Sequence, residues 1–438
     1  MLNQAMGVSL RLLTQVAGSP LIEKYGLSEP LNRLLRQGTE TGFQVASKAT
    51  TAFNKIVKRD KPARLEPTAG EKPKVFDLRP TEEQEMIQET MRRFATEVIR
   101  EAAESSDAQC KAPDEVLNGV QELGLLTLAV PSELGGDAES RSPLTNVLAL
   151  EALATGDLGL ALAAASPLGV ACALVDFGTA EQQGKYLPAF TGETLLPAAI
   201  ALVEPHPAFD PFSLRTRAHR KGDKFVLEGR KSLVPLAARA ELFIVAAEVP
   251  GSGPRLFLVE RGTPGLEVRE TPSMGARAAE LGELRLRNVE VSEAQVLGGT
   301  EGVDYALFVN RGRVAWGALA VGQCQAVVDY VIPYCNERKA FGEPISSRQA
   351  VAFTVANMGI EVESLRVMLL RAASRTEYGE DILREAHLLR LLASQKSMEI
   401  GSNGVQLLGG HGFVKDHPVE RWYRNLRAVG VTDAGLYI

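Results

Sequence analysis

The apolar residues of this 438-residue chain change their spacing twice. From "LRPTEEQEMIQETMRRFATEVIREAAESS" onward they recur at the three-to-four-residue interval of amphipathic helices. The same period runs through "DEVLNGVQELG", "PLTNVLALEALATGDLGLALAAASPLGVACALVDFG" and "TAEQQGKYLPAFTGE". Near Leu195 the period shortens. "LLPAAIALVEP", "FVLEGRKSLVP", "LFIVAAEV", "RLFLVE" and "ELRLRNVEV" read as short strands bounded by Gly, Pro and charged turns. After "VLGGTEG" long helical patterns return. Helices, a β block and helices again predict an α+β fold with a compact antiparallel β unit in the middle. The length exceeds one ordinary core, and the expected segments are 75–195, 196–300 and 301–438. Thr81 is the expected N-cap of the first helix, with Gln84 at capping-box spacing.

Residues 1–74 differ from the rest of the chain. Lys and Arg outnumber Asp and Glu there, and "SLRLLTQVAGSPLIEKYG" and "EPLNRLLRQGTETGFQVASKATTAFNKIVKR" carry helical periodicity. The stretch "DKPARLEPTAGEKPK" then has linker composition. Such a basic amphipathic arm suits an anionic membrane surface, its own domain or a neighbouring subunit.

Composition removes several function classes. With 48 Lys and Arg against 54 Asp and Glu, the net charge of −6 supplies no basic field for nucleic acid. The four cysteines lack CxxC spacing and histidines number five, so reduced, buried thiols are expected, with no disulfide framework and no metal site. No uninterrupted apolar run approaches the roughly 20 residues of a membrane span, and the first residues lack a secretory signal's charged start. The expected location is the cytoplasm, peripheral to the inner membrane if the arm binds it; the mitochondrial matrix is the alternative.

Two stretches carry the functional reading. In "YCNERKAFGEPISSRQAVAF", Arg338 and Phe341 are three apart at a helix end, where a guanidinium and a ring can meet an anionic, aromatic ligand or serve as a surface ion pair and a core ring. In "GVQLLGGHGFVKDHPVERWYRNLR", Gly409, Gly410 and Gly412 let backbone amides approach a ligand or end a helix. Together the two stretches resemble signatures of the acyl-CoA dehydrogenase family of flavoproteins. "LGLLTLAVPSELGG", "ALVEPHPAFD" and "PSMGARAAELGELRLRNVEV" match more weakly, in the family's order.

The resemblance, covering about residues 78–435, implies a helical N-terminal domain, a central β domain and a C-terminal four-helix bundle, here preceded by the helical arm. It further implies FAD between the last two domains and across a subunit contact, hence a homodimer or homotetramer. Arg338, Phe341, Gln349, Gln406, Gly409 and Gly410 are assigned to FAD by resemblance, several of them to a neighbouring subunit's FAD. In the β unit the family's hydroxyl-bearing positions are replaced. The Val203 backbone N–H and C=O are left to serve the isoalloxazine, with Leu233, Val234 and Pro235 covering its face and Phe209 narrowing the pantetheine route.

Dehydrogenation between the α and β carbons of an acyl-CoA needs a carboxylate beside the α-carbon. In the family's register Asp433 takes the place of the usual Glu, Asn425 that of an Asp, and Ala434 and Gly435 those of Gly-Thr. Gly312, next to Arg313, stands where some relatives carry the Glu instead. Asp433 is therefore the candidate base, with Gly312, Arg313 and Gly435 beside the acyl group, and electrons passing to an electron-transfer flavoprotein. Two other readings compete: a weakly active or inactive subunit in which Asp433 is a structural cap, and a flavin oxidase resembling nitroalkane oxidases.

Overall fold

The structure, a computed structural model, describes residues 78–438; the arm and linker expected over 1–74 lie outside them. The first segment is helical: α1 (Glu82–Phe94), α2 (Arg100–Gln109), α3 (Asp114–Glu122), α4 (Pro143–Ala154), α5 (Leu158–Phe177) and α6 (Ala180–Tyr186). Thr81 caps α1 as expected, its Oγ1 accepting from Gln84 N–H while Gln84 Oε1 accepts from Thr81 N–H. The long apolar stretch divides at Asp157. That residue caps α5 by accepting from Gly159 and Leu160 N–H at 2.8 and 3.3 Å.

By length and composition α5 is long and apolar enough to cross a membrane, although Ser166, Pro167 and Asp176 interrupt its apolar run. It is almost wholly buried within the protein. Its alanines and glycines leave little side-chain bulk, so neighbouring elements close around it. Cys110 also departs from expectation: it ends α2 at φ 53° and is exposed, whereas the other three thiols are buried.

The central sheet contains β1 (Ala198–Ala201), β2 (Arg217–Lys221), β3 (Lys224–Val234), β4 (Leu242–Val249), β5 (Gly253–Glu260), β6 (Leu266–Glu270) and β7 (Gly282–Ser292), ordered β1-β4-β2-β3-β7-β6 with β5 on β4. It is mixed, not purely antiparallel. β1 runs parallel to β4, because the chain makes a long excursion through β2 and β3 before returning beside β1. The continuous apolar run of β4 is explained by burial on both faces: Leu242, Ile244 and Ala246 join the core shared with the helices, and Phe243, Val245 and Ala247 the core inside the sheet. β2 and β6 escaped the sequence reading because "RAHRK" and "LEVRE" are mostly charged, β2 lying largely exposed and β6 partly so.

The last segment holds α7 (Tyr305–Glu337), α8 (Gln349–Glu377), α9 (Leu383–Leu408) and α10 (Val419–Val431), with a small hairpin of β8 (Lys339–Ala340) and β9 (Glu343–Pro344) between α7 and α8. α7 is the hub, packing against α4, α8, α9 and α10.

A buried pair fixes the loop that leaves β1. Lys231 Nζ of β3 donates to Glu204 Oε1 at 2.8 Å and to Leu202 O at 3.1 Å. Glu204 also accepts from the Arg215 and Thr216 amides, both at 2.8 Å. Burial opposes both charges, pulling Lys231 down to about 8, but Lys231 and the amides hold the Glu204 carboxyl at about 2. Lys231→Met should destabilise the fold by about 3–5 kcal/mol in urea unfolding, because it strands a buried carboxylate; a loss below about 1 kcal/mol would contradict this role. In the wild type, Glu204's contribution is complete above its ordinary value of 4.5 and drains as pH falls towards about 2.

Candidate active site

Asp433 follows α10, whose C-cap is Thr432. It precedes no helix, so it is not a helix cap. Its carboxylate, 7 % exposed, is gripped by α7: Arg313 Nε donates to Oδ1 at 2.9 Å and Nη2 to Oδ2 at 3.0 Å. From α9, Arg390 Nε approaches Oδ1 to 2.9 Å. Arg313 is oriented in turn by Asn310 Oδ1 at 3.2 Å, and its guanidinium carbon lies 5.8 Å from the centroid of the Phe212 ring. Two helices and the chain beyond a third are thus joined at one carboxylate.

The next residues turn towards the β domain. Ala434 adopts the left-handed conformation, φ 53°, and its carbonyl accepts from Trp316 Nε1 at 2.9 Å. A Cβ built on Gly435 would lie 3.9 Å from both Ile200 O and Val203 Cγ2. On Gly312 it would lie 2.5 Å from Leu436 O, so glycine at that point of α7 lets the chain cross. The structure therefore brings Asp433, Gly312, Arg313, Gly435 and Val203 together. Phe209 instead sets its ring against His206, 5.7 Å between centroids, and Phe212 is the ring over Arg313. Sequence reasoning missed Phe212, whose place depends on a distant bond, Tyr305 Oη donating to Pro211 O at 2.7 Å.

The residues expected to hold flavin form two sets. Val203 is buried, and its carbonyl accepts from Ser232 N–H at 2.8 Å, which ties it to β3 and leaves one lone pair of that oxygen. Leu233, Val234 and Pro235 sit at a bulge ending β3, with Leu233 at φ 53° presenting an apolar wall. The second set lies at the exposed end of the bundle. Arg338 falls just beyond α7 and Phe341 in the hairpin, at φ 56° and 95 % exposed, so the two do not share a helix end. The helix ends at Glu337, before both. Gln349 opens α8, Gln406 lies in the last turn of α9, and Gly409 and Gly410 follow. Tyr334 Oη, 2.9 Å from His411 Nδ1, ties this loop to α7.

The bundle end suits a dinucleotide's phosphates. A Cβ on Gly410 would meet nothing within 4 Å, so packing does not require glycine there, whereas Gly409 is held to glycine by its φ of 57° and a Cβ on Gly412 would lie 2.2 Å from Val405 O. Open backbone beside a guanidinium and an exposed ring matches an anionic, aromatic group, and the apolar β3 bulge suits a flat ring.

Asn425 also gains a reason. Its amide donates to Asp157 Oδ2 at 3.0 Å and accepts from Ala276 N–H at 2.8 Å. An Asp in its place would set two carboxylates together and lose the donor.

Three models of the acyl-CoA dehydrogenase family match in order: the N-terminal domain over 81–193, the middle domain over 199–289 and the C-terminal domain over 300–433. The short/branched chain specific acyl-CoA dehydrogenase of Rattus norvegicus is 34% identical over 355 residues, 79% of this chain and 81% of that protein. The chain belongs to the acyl-CoA dehydrogenase family. A solved structure of the electron transferring flavoprotein of Acidaminococcus fermentans contains a chain with TM-score 0.75 and 29% identity, covering 82% of this chain and 96% of that one. An FAD complex of PigA superposes with TM-score 0.74 at 26% identity, over 81% and 94%. The α+β fold is that of the family, and the protein is an FAD-dependent acyl-CoA dehydrogenase-type oxidoreductase.

Gly312→Ala should lower stability by about 1–3 kcal/mol, since the added methyl has backbone in its way. Gly359→Ala on α8, where a Cβ meets nothing, should be neutral or stabilising by up to about 1 kcal/mol. Urea unfolding of both variants checks this, and equal effects would contradict the crossing geometry.

Proposed function

We propose that this protein dehydrogenates an acyl-CoA thioester between its α and β carbons, with Asp433 accepting the α-proton and electrons passing to an electron-transfer flavoprotein. The observation that carries it is the buried carboxylate of Asp433 beside Gly312 and next to the residues that touch Val203. FAD, when bound, supplies the two-electron acceptor for the β-hydride. Leu233 to Pro235 would face its ring, and Arg338, Phe341, Gln349, Gln406, Gly409 and Gly410 would serve its phosphates and adenine, several of them from a neighbouring subunit.

Asp433 is one methylene shorter than Glu, and a misplacement of about 1 Å can cost on the order of a hundredfold in rate. The left-handed turn at Ala434 and its bond to Trp316 fix where this shorter acid stands. Arg313 donates one hydrogen bond to each oxygen, and Arg390 Nε lies 2.9 Å from Oδ1 without hydrogen-bonding to it, so Oδ2 has the fewer cationic contacts. The same clamp favours a second reading: a weakly active or inactive flavoprotein subunit in which Asp433 joins helices. The A. fermentans structure supports the electron-transfer partner by likeness.

A homo-oligomer accords with the apolar surface of the bundle. Phe353, Ile360 and Val367 recur every seven residues along α8 and are all exposed, as are Leu388 and Leu391 on α9. Sedimentation should show a dimer or tetramer; a monomer at micromolar concentration would remove the shared-FAD assignment. In the FAD-loaded protein, an acyl-CoA should bleach the flavin anaerobically. Asp433→Asn should keep the flavin and slow bleaching by about 100- to 10,000-fold. Flavin that no acyl-CoA bleaches would favour the second reading, and unchanged bleaching in the variant would remove Asp433 from the mechanism.

A further inference from the structure

A second charge cluster, outside the Asp433 clamp, holds more positive than negative charge. Arg141, just before α4, donates from Nε to Asp176 Oδ1 of α5 at 2.7 Å and from Nη2 to Oδ2. Arg311 of α7 reaches the same Oδ2 through Nη1. Tyr437 Oη donates to that oxygen at 2.6 Å and accepts from Arg311 Nη1 at 2.7 Å. Among the described residues, Asp176 is the one acid that pairs with either arginine. Two cations therefore share one carboxylate.

The other groups of the niche do not balance the excess. Cys172 of α5 lies beside Arg141, but burial pushes its thiol up to about 11, so it stays neutral near pH 7. Burial likewise keeps the Tyr437 hydroxyl protonated. The Tyr437 ring has Arg141 and Arg311 at 5.7 and 5.4 Å from its centroid, an attraction that cancels no charge.

The excess is also out of water. The Arg141 and Arg311 side chains are 6 % and 12 % exposed. Arg141 Nη1 and Arg311 Nε are buried and find no hydrogen-bond partner in the protein. Because both guanidiniums converge on Asp176 Oδ2, these two donors belong to one niche. A buried charge without a counter-charge is costly, and so is a buried N–H without an acceptor. One negatively charged acceptor answers both needs. A single excess charge calls for a monovalent ion, and the packing of Tyr437 against Phe308 at 5.2 Å and Phe177 at 5.8 Å calls for a small one. Asp176, with its side chain 19 % exposed, marks the way in.

We propose that Arg141 Nη1 and Arg311 Nε bind one halide-sized monovalent anion, chloride in ordinary buffers, which joins α5 to α7 as a structural counter-ion. The site is independent of the acyl-CoA reading.

The test uses the full-length FAD-loaded protein and compares sodium chloride with sodium gluconate at equal ionic strength. Chloride should raise the thermal unfolding midpoint by about 2 °C or more, along a saturating curve. Equal midpoints in the two salts would overturn the site. Arg311→Gln removes the excess charge and should abolish the difference; a difference that persists would be a general salt effect and would overturn the site too. Should that variant fail to fold, a wild-type crystal soaked in sodium bromide carries the test together with the salt comparison. Anomalous density touching both Arg141 Nη1 and Arg311 Nε is expected, and its absence would overturn the proposal. Bromide at that place with no chloride stabilisation would mark an adventitious ion only, and would equally overturn it.

Discussion

One carboxylate held by two arginines organises this site. Arg313 projects from α7 and Arg390 from α9, and both meet Asp433 beyond α10. Removing either arginine would leave a buried acid short of a partner, which is costly in a low-dielectric interior. Because the clamp anchors the start of the segment, it sets the direction of the residues after it. Ala434 must turn left-handed to hand its carbonyl to Trp316, and Gly435 then reaches the end of β1. The junction of bundle and β domain is built around this single anchor.

The anchor also sets the chemical tension of the site. A proton acceptor works best when its lone pairs are accessible, whereas a structural ion pair works best when they are all engaged. Asp433 stands between these cases, with three guanidinium contacts and a buried position. Beyond it, Tyr437 packs between α5 and α7, against Phe177 and Phe308.

Much of this was legible in the sequence, for identifiable reasons. The two changes of hydrophobic period marked the three segments, since α1 and the long bundle helices obey a helical spacing and β4 is an unbroken apolar run. The register from Gln406 to Arg424 marked Asp433 and Gly435, a separate match in "NRGRVAWG" marked Gly312, and the structure sets Gly312 and Arg313 against the chain that carries Asp433. The parallel pairing of β1 with β4 was not legible, because strand direction depends on a long excursion and not on local pattern. Phe212, Arg390 and Tyr437 were missed for the same reason: each matters through a contact more than 40 residues away. Phe341 shows the opposite error, a spacing read as one helical face that a hairpin interrupts.

The proposed role of Asp433, taking a proton from the α-carbon of a thioester despite its clamp, can be isolated from the redox step. Acetyl-CoA has α-protons and no β-carbon, so its deuterium uptake reports proton abstraction alone. With FAD-loaded protein in D2O, NMR should show catalysed exchange of the acetyl protons that disappears in Asp433→Asn. No exchange at saturating acetyl-CoA, or equal exchange by the variant, would contradict that role.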